Sequence, residues 1–267
     1  MAERLAIYRR LVGAQVRGHV AYRASFALDL VGNALMPVIE VTVIVAMFRV
    51  TRTLGDFTAL EVLVMFGLAS SAFALADLSV GNIERIRQYV RMGLLDAVLI
   101  RPLSALGQLL ALDFTIRRAA RVVISLGVFG VAASRVGVDW TPARAALAVL
   151  AVVGGAAFFG AVFVATATVA FWWIDSGEFA NGFTYGGRDF TSYPITVYSG
   201  FFRRVFAYGL GFGFVAYHPT LGLLGRPDPL GLPAWMAWST PAVAAAACGL
   251  AALAWRSGVR HYRSTGS

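Results

Sequence analysis

Fourteen acidic residues, three histidines and one cysteine are what this chain offers for chemistry. His19, His218 and His261 are separated by long apolar runs, which place His218 near one membrane face and the other two near the opposite one. They form no His-Glu-x-x-His pair, and neither a Gly-x-Ser-x-Gly elbow nor an acid pair beside a histidine occurs. Cys248 stands in an Ala/Gly-rich apolar run, so the chain has no disulfide framework and no thiolate metal cluster. All 23 basic residues are arginine, which removes the lysine of a phosphate-binding loop and any Schiff-base amine. The sequence therefore predicts no catalytic group, no metal ligand and no cofactor on this chain. What remains are the acids Asp29, Glu40, Asp77 and Asp113, in or beside apolar runs. A carboxylate at the bilayer centre costs about 2.5–3.5 kcal/mol on insertion scales, so such groups face protein or water. They read either as polar groups along a substrate or proton path, or as interfacial caps and ion pairs between helices. Glu40, three residues after Pro37, lies deepest. Asp113 can pair with Arg117 one helical turn on, beside Arg118 and Arg121.

The surroundings of those acids are set by composition. The chain is 58% hydrophobic and only 14% charged, with mean hydropathy +0.71. A soluble domain carries about 25% charged residues. Too few charges are present to clothe a soluble 267-residue fold, so lipid is part of its solvent. The net charge of +9 does not collect into one patch, which argues against nucleic acid. The arginines instead cluster between apolar runs, as the positive-inside rule requires.

The expected architecture is all-α and integral to the membrane. Residues 1–23 carry Leu5, Tyr8, Val12, Val16 and Val20 on one stripe, an amphipathic helix lying in the interface or in the cytoplasm. The rest, 24–267, reads as one transmembrane domain with spans at about 24–48, 59–80, 103–133, 142–173, 205–224 and 233–255. Thr58-Ala59-Leu60-Glu61 is a capping box opening the second span, and Thr141-Pro142 caps the fourth. The break at His218-Pro219 leaves room for a re-entrant outer piece near the fifth span. All six tryptophans fall at proposed span ends, where aromatic belts form. Fifteen arginines fall on proposed inner segments and five on outer ones, which predicts both termini in the cytoplasm.

Two further patterns bear on function. Residues 82–101 are too polar to span but patterned as two short helices, with Ile83, Ile86 and Val90 on a stripe and Glu84, Arg87 and Arg91 off it. Gly93 fits the end of the first. Such a segment is either a docking surface for a soluble partner or an interfacial helix held on anionic lipid by Arg85, Arg87 and Arg91. Ala156-x-x-x-Gly160 and Gly209-x-x-x-Gly213 are small-residue pairs that let helices approach closely in lipid.

Arg91-Met92-Gly93-Leu94-Leu95-Asp96 and its continuation to Arg101-Pro102-Leu103 resemble the stretch after the second span of type-2 ABC exporter permeases. Tyr193-Pro194-Ile195-Thr196-Val197-Tyr198, followed by Arg203-Arg204, is similar to the bacterial six-helix branch of that family, as is His218-Pro219-Thr220-Leu221-Gly222 through Gly225. The order and spacing of these stretches, with the amphipathic N-terminal helix, cover nearly the whole chain. The resemblance implies a half-transporter in a bacterial plasma (inner) membrane. Two permeases, identical or homologous, would work with two ABC ATPase subunits that carry the ATP and Mg. Residues 82–92 would be the coupling helix, with Ile83, Glu84, Arg85, Ile86, Arg87, Tyr89, Val90, Arg91 and Gly93 docking the ATPase, and 1–23 the elbow helix. Substrate would pass along the permease–permease interface on spans two and five. Without the resemblance, a proton-coupled secondary transporter built on Glu40 and an intramembrane enzyme stay open.

Overall fold

The computed structural model describes residues 23–112 and 118–262, and every regular element among them is helical. The amphipathic segment 1–23, save Arg23, and the expected Asp113–Arg117 pair lie outside the described residues.

Helix α1 (Arg23–Met47) carries Pro37 and leads into a loop closed by the Leu54–Phe57 bridge. Helix α2 (Ala59–Val80) starts where the capping box predicts: the Thr58 amide donates to Glu61 Oε2 at 2.8 Å. It passes through a 3-10 turn, Gly81–Arg85, into α3 (Ile86–Arg91) and then α4 (Leu94–Leu99). The corner between them is Gly93, whose φ of +67° is cheap for glycine alone. Helices α5 (Ala105–Leu112) and α6 (Ala119–Val136) follow. Helix α7 (Pro142–Thr168) has proline in its first turn, and Thr141 Oγ1 accepts from the Arg144 amide at 3.2 Å. Then come α8 (Gly177–Thr191), the single turn α9 (Gly200–Arg203), α10 (Tyr217–Leu224) and α11 (Thr240–His261).

Among the described residues, four helices are long and apolar enough to cross a membrane: α2 with its continuation to Arg91, α6, α7 with its continuation to Phe171, and α11. Val31–Met47 of α1 is a shorter apolar helix. Helix α2 lies at the centre of the bundle, packed by α6 and α7. A Cβ on Gly67 would stand 2.6 Å from the Phe129 Cα, and one on Gly155 would stand 2.8 Å from the Ala72 Cβ. Backbones this close exclude lipid and gain dispersion contacts along their whole crossing. Around them Phe73, Phe158, Phe159 and Phe163 are fully buried, with Phe73 and Phe159 edge to face at 5.2 Å.

Several expected boundaries change. The stretch 103–133 is carried by two helices, α5 and α6, and 233–255 by a 3-10 turn, Ala234–Trp238, followed by α11, whose first turn holds Pro241. The larger correction concerns 205–224, which is not one helix. It contains a π-helical piece, Arg204–Gly209, a 3-10 turn, Phe212–Phe214, and α10. The π turn closes with the Leu210 amide on the Val205 carbonyl at 2.8 Å, and Gly211 turns the chain at φ +89°. The path enters and leaves at one end of the bundle. Phe212 packs on Phe158 and on Gly187 part-way along α7 and α8, Val215 meets Gly155, and Arg226 returns to Glu61 in the first turn of α2. This is a re-entrant hairpin. Its irregular turn at Gly211–Gly213 and the limb after it are buried in protein, where broken backbone is tolerated, while the first limb keeps Phe201, Val205 and Leu210 exposed.

The run that connects the two ends here is α8, in the least regular part of the sequence. Gly177 lies against the Arg87 guanidinium at one end. Past its last turn, Thr196 Oγ1 donates to the Gly55 carbonyl at 2.9 Å at the other. Fifteen helical residues cover about 22 Å at 1.5 Å each, and the extended residues after Thr191 add the remainder.

Candidate functional site: charged pairs between helices and a polar face on α8

Asp77, one turn from the end of α2, is buried at 3% exposure. Arg118 Nη1 lies 2.9 Å from its Oδ1, and Arg121 Nη1 lies 3.1 Å from its Oδ2. Arg118 also donates to the Asp77 carbonyl at 2.8 Å, and Arg121 Nη2 reaches Asn33 Oδ1 of α1 at 3.2 Å. Arg118 stands at the N-cap of α6 and Arg121 in its first turn, where the positive end of the helix dipole disfavours cations. One carboxylate thus offsets two guanidiniums and a helix end, and joins α1, α2 and α6. Gly81 makes the space: a Cβ there would strike both Asp77 Oδ1 and the Arg118 guanidinium.

Glu40 of α1 is held by Arg188 of α8 in a two-pronged pair, with Arg188 Nη1 donating to Oε1 at 2.6 Å and Nη2 to Oε2. The Arg188 guanidinium lies 5.5 Å from the centre of the Phe73 ring, with Tyr185 on the same ring. A carboxylate clamped by both guanidinium nitrogens links α1 to α8. Arg188 is the partner that hydropathy could not supply, because it sits on a helix whose composition does not read as a span.

Helix α8 has two unlike faces. Ala180, Thr184, Gly187 and Thr191 recur at helical spacing and are buried on α7, α2 and the hairpin, with Gly187 under the Phe212 ring. The opposite face carries Glu178, Phe179, Tyr185 and Asp189 exposed, and the Asp189 side chain is 71% open. Beyond it the aromatic surface continues through Phe183, Phe206 and Phe202, the last two stacked at 4.2 Å.

At the Gly81–Leu99 end, Ile83, Ile86 and Val90 are buried in this chain's own core. The stripe that amphipathicity picks out is therefore turned into the bundle. Arg85, Gln88, Arg91 and Met92 are exposed, while Glu84, Arg87, Tyr89 and Gly93 are half-buried. A cavity of about 510 Å³ opens between this segment and residues 174–178, lined by Glu84, Arg85, Arg87 and Arg91 on one side and Asp175, Gly177 and Glu178 on the other. Arg91 pairs with Asp175 across it, and the Tyr185 hydroxyl reaches Glu84 Oε2 at 3.4 Å.

The small-residue pairs divide. Ala156 and Gly160 lie on α7, where a Gly160 Cβ would meet only Val80, at an ordinary 3.4 Å. Gly209 and Gly213 fall in the hairpin, on two different elements, and Gly213 closes on Ala207 of the same hairpin rather than on a neighbouring helix. The glycines that bring spans together are Gly67 and Gly155, with Gly258 of α11 beneath Phe171 and Thr168.

A family model described as "ABC-2 family transporter protein" matches residues 34–266, all but the two ends of the chain. The chain belongs to the ABC-2 transporter family. The four long apolar helices agree with membership, and the chain is accordingly a multi-pass membrane protein and a transport component rather than a catalyst. No curated protein and no solved structure matches it.

Proposed function

We propose that this ABC-2 protein is the permease subunit of an ATP-driven ABC exporter. It pairs with a second permease, identical or homologous, and is driven by two separate ATPase subunits that carry ATP and Mg. The observation that carries the reading is the outer face of α8. It runs between the ends of the bundle with Glu178, Tyr185 and Asp189 exposed, whereas the mid-helix outward faces of α1, α6, α7 and α11 expose mainly aliphatic side chains such as Leu35, Val123, Val149 and Leu250. An exposed carboxylate at membrane depth faces water or another protein. A facing permease would cover this surface and leave a partly polar, aromatic-lined path between the subunits. The crossings are then α1, α2, α5 with α6, α7, α8 and α11. The re-entrant hairpin Gly200–Leu224 lies on the outer side, and both termini are cytoplasmic.

The Gly81–Leu99 end is the cytoplasmic docking surface. Its contact groups are the exposed Arg85, Gln88, Arg91 and Met92, while Ile83, Ile86 and Val90 fix the segment to the bundle so that a push on it moves α2. The position is that of a bacterial inner-membrane protein. The test is co-purification from the native host in mild detergent with mass spectrometry of the bound chains. A stoichiometric ATP-binding subunit is expected. A chain that purifies alone and moves substrate in proteoliposomes without ATP refutes the reading.

A further inference from the structure

A second feature lies away from α8. An apolar groove of about 550 Å³ runs between α2, α5, α7 and α11. Its floor is shallow side chains, Ala156, Ala157 and Gly160, and its walls include Leu106 of α5 and Ala252 of α11. It follows α7 from Val153 to Val164, about 17 Å at 1.5 Å per residue. That is close to half of a hydrocarbon core of about 30 Å, the depth of one leaflet. A transmembrane helix of another protein would run the full thickness, and this groove does not. At the end nearer Gly81–Leu99 its rim is Arg256, exposed and without an ion pair among the described residues, with Trp255 beside it. Arg260 follows one turn later on the same side of α11.

We propose that the groove holds one anionic phospholipid, with an acyl chain against Ala156, Ala157 and Gly160 and its phosphodiester on Arg256. Away from the Arg256 rim the lining is almost wholly apolar, with the Ser79 hydroxyl already donating to the Leu75 carbonyl, and it fits the exclusion of water by a methylene chain. The cation stands at headgroup depth, where basic pockets between spans take anionic lipid heads. Only the membrane-spanning nature of the chain is required, so the inference stands or falls separately from the exporter reading.

The test is lipid retention by the full-length protein in mild detergent, measured by native mass spectrometry with phosphatidylglycerol and phosphatidylcholine of identical chains. One arginine near the surface is worth about 1 kcal/mol, or about fivefold. Phosphatidylglycerol should be retained about fivefold over phosphatidylcholine, Arg256→Gln should erase the preference, and Gly160→Phe should remove both lipids. Ala252→Phe, which blocks the groove from its rim, serves if Gly160→Phe does not fold. Equal retention in the parent protein, a preference that survives Arg256→Gln, or retention in both blocked variants overturns the proposal. Cys248 lines the groove and is the chain's single cysteine. Efficient Cys248–Cys248 crosslinking on mild oxidation in bilayers would put a second copy there and also overturn it.

Discussion

Replacing Asp77 with Asn tests whether the charged cluster at the α2–α6 junction is structural. The Asp77 side chain is 5% exposed, and its two arginines are 24% and 23% exposed. Breaking a buried pair by removing one partner costs about 3–5 kcal/mol. The arginines are a quarter open and can swing toward water, and Arg118 keeps its bond to the Asp77 carbonyl at 2.8 Å. The expected loss is therefore at the low end, about 3 kcal/mol. For a chain of this size that is a fall of roughly 6–12 °C in Tm, at about 2–4 °C per kcal/mol. Arg121→Gln alone leaves Asp77 with Arg118 but removes the bonds to Asp77 Oδ2 and Asn33 Oδ1, and should cost about 1–2 kcal/mol, less than Asp77→Asn. The triple change Asp77→Asn, Arg118→Gln, Arg121→Gln removes the stranded cations, so it should be more stable than Asp77→Asn alone. The assay is thermal unfolding of purified protein in one detergent, arranged as a mutant cycle. Additive losses, with the triple variant the least stable of all, would refute the idea that these groups balance one another.

Arg188→Leu should destabilise the protein by about 2–3 kcal/mol by leaving Glu40 unpaired at membrane depth, and adding Glu40→Gln should restore most of the loss in the same unfolding assay. Reversing Arg85 and Arg91 to Glu should abolish ATPase co-purification while leaving membrane insertion intact, and an undiminished complex would remove those residues from the docking surface. Gly67→Val should cost about 3 kcal/mol or more through overpacking against the Phe129 backbone, read as lost yield and a lowered Tm, whereas Gly209→Ala should be nearly silent.

Part of this was legible in the residues. The capping box at Thr58, the Thr141-Pro142 start and the two short helices meeting at Gly93 all follow from local rules, because the groups concerned are close in sequence. Hydropathy marked α2, α7 and α11, each apolar over a run long enough to span, whether the helix faces lipid or, like α2, is buried at the centre of the bundle. It could not mark α8. Four glycines, a glutamate, an arginine and an aspartate lower its apolarity, and what holds it is fit against α7 and the Phe212 ring. The same reasoning made 205–224 look like a span, since a hairpin and a lipid-facing helix can be equally apolar; the His218-Pro219 break hinted at a re-entrant piece, but the turn itself falls at the left-handed Gly211. Amphipathicity at Ile83, Ile86 and Val90 announced a buried face without saying that the chain itself buries it. Arg188 and Glu40 lie 148 positions apart, beyond any periodicity argument.

Helix α2 is anchored at both extremities. Its first turn is latched to the hairpin through Glu61 and Arg226, at 2.6 Å, while Arg226 lies over the Phe57 ring at 4.9 Å. Its last turn runs without a loop into the segment that meets the ATPase in the reading above. Twenty-two residues at 1.5 Å make a strut of about 33 Å, with no proline inside it. Such a strut transmits displacement like a pushrod: it needs no relay of rearranging side chains, and a shift imposed at one tip arrives at the other with little lost in bending. Stiffness becomes the quantity under selection, more than any single contact. Paired glycines in the middle of α2 should then leave ATPase binding intact while uncoupling hydrolysis from transport. Transport that keeps pace with hydrolysis in that variant would mean that the stroke travels by another route.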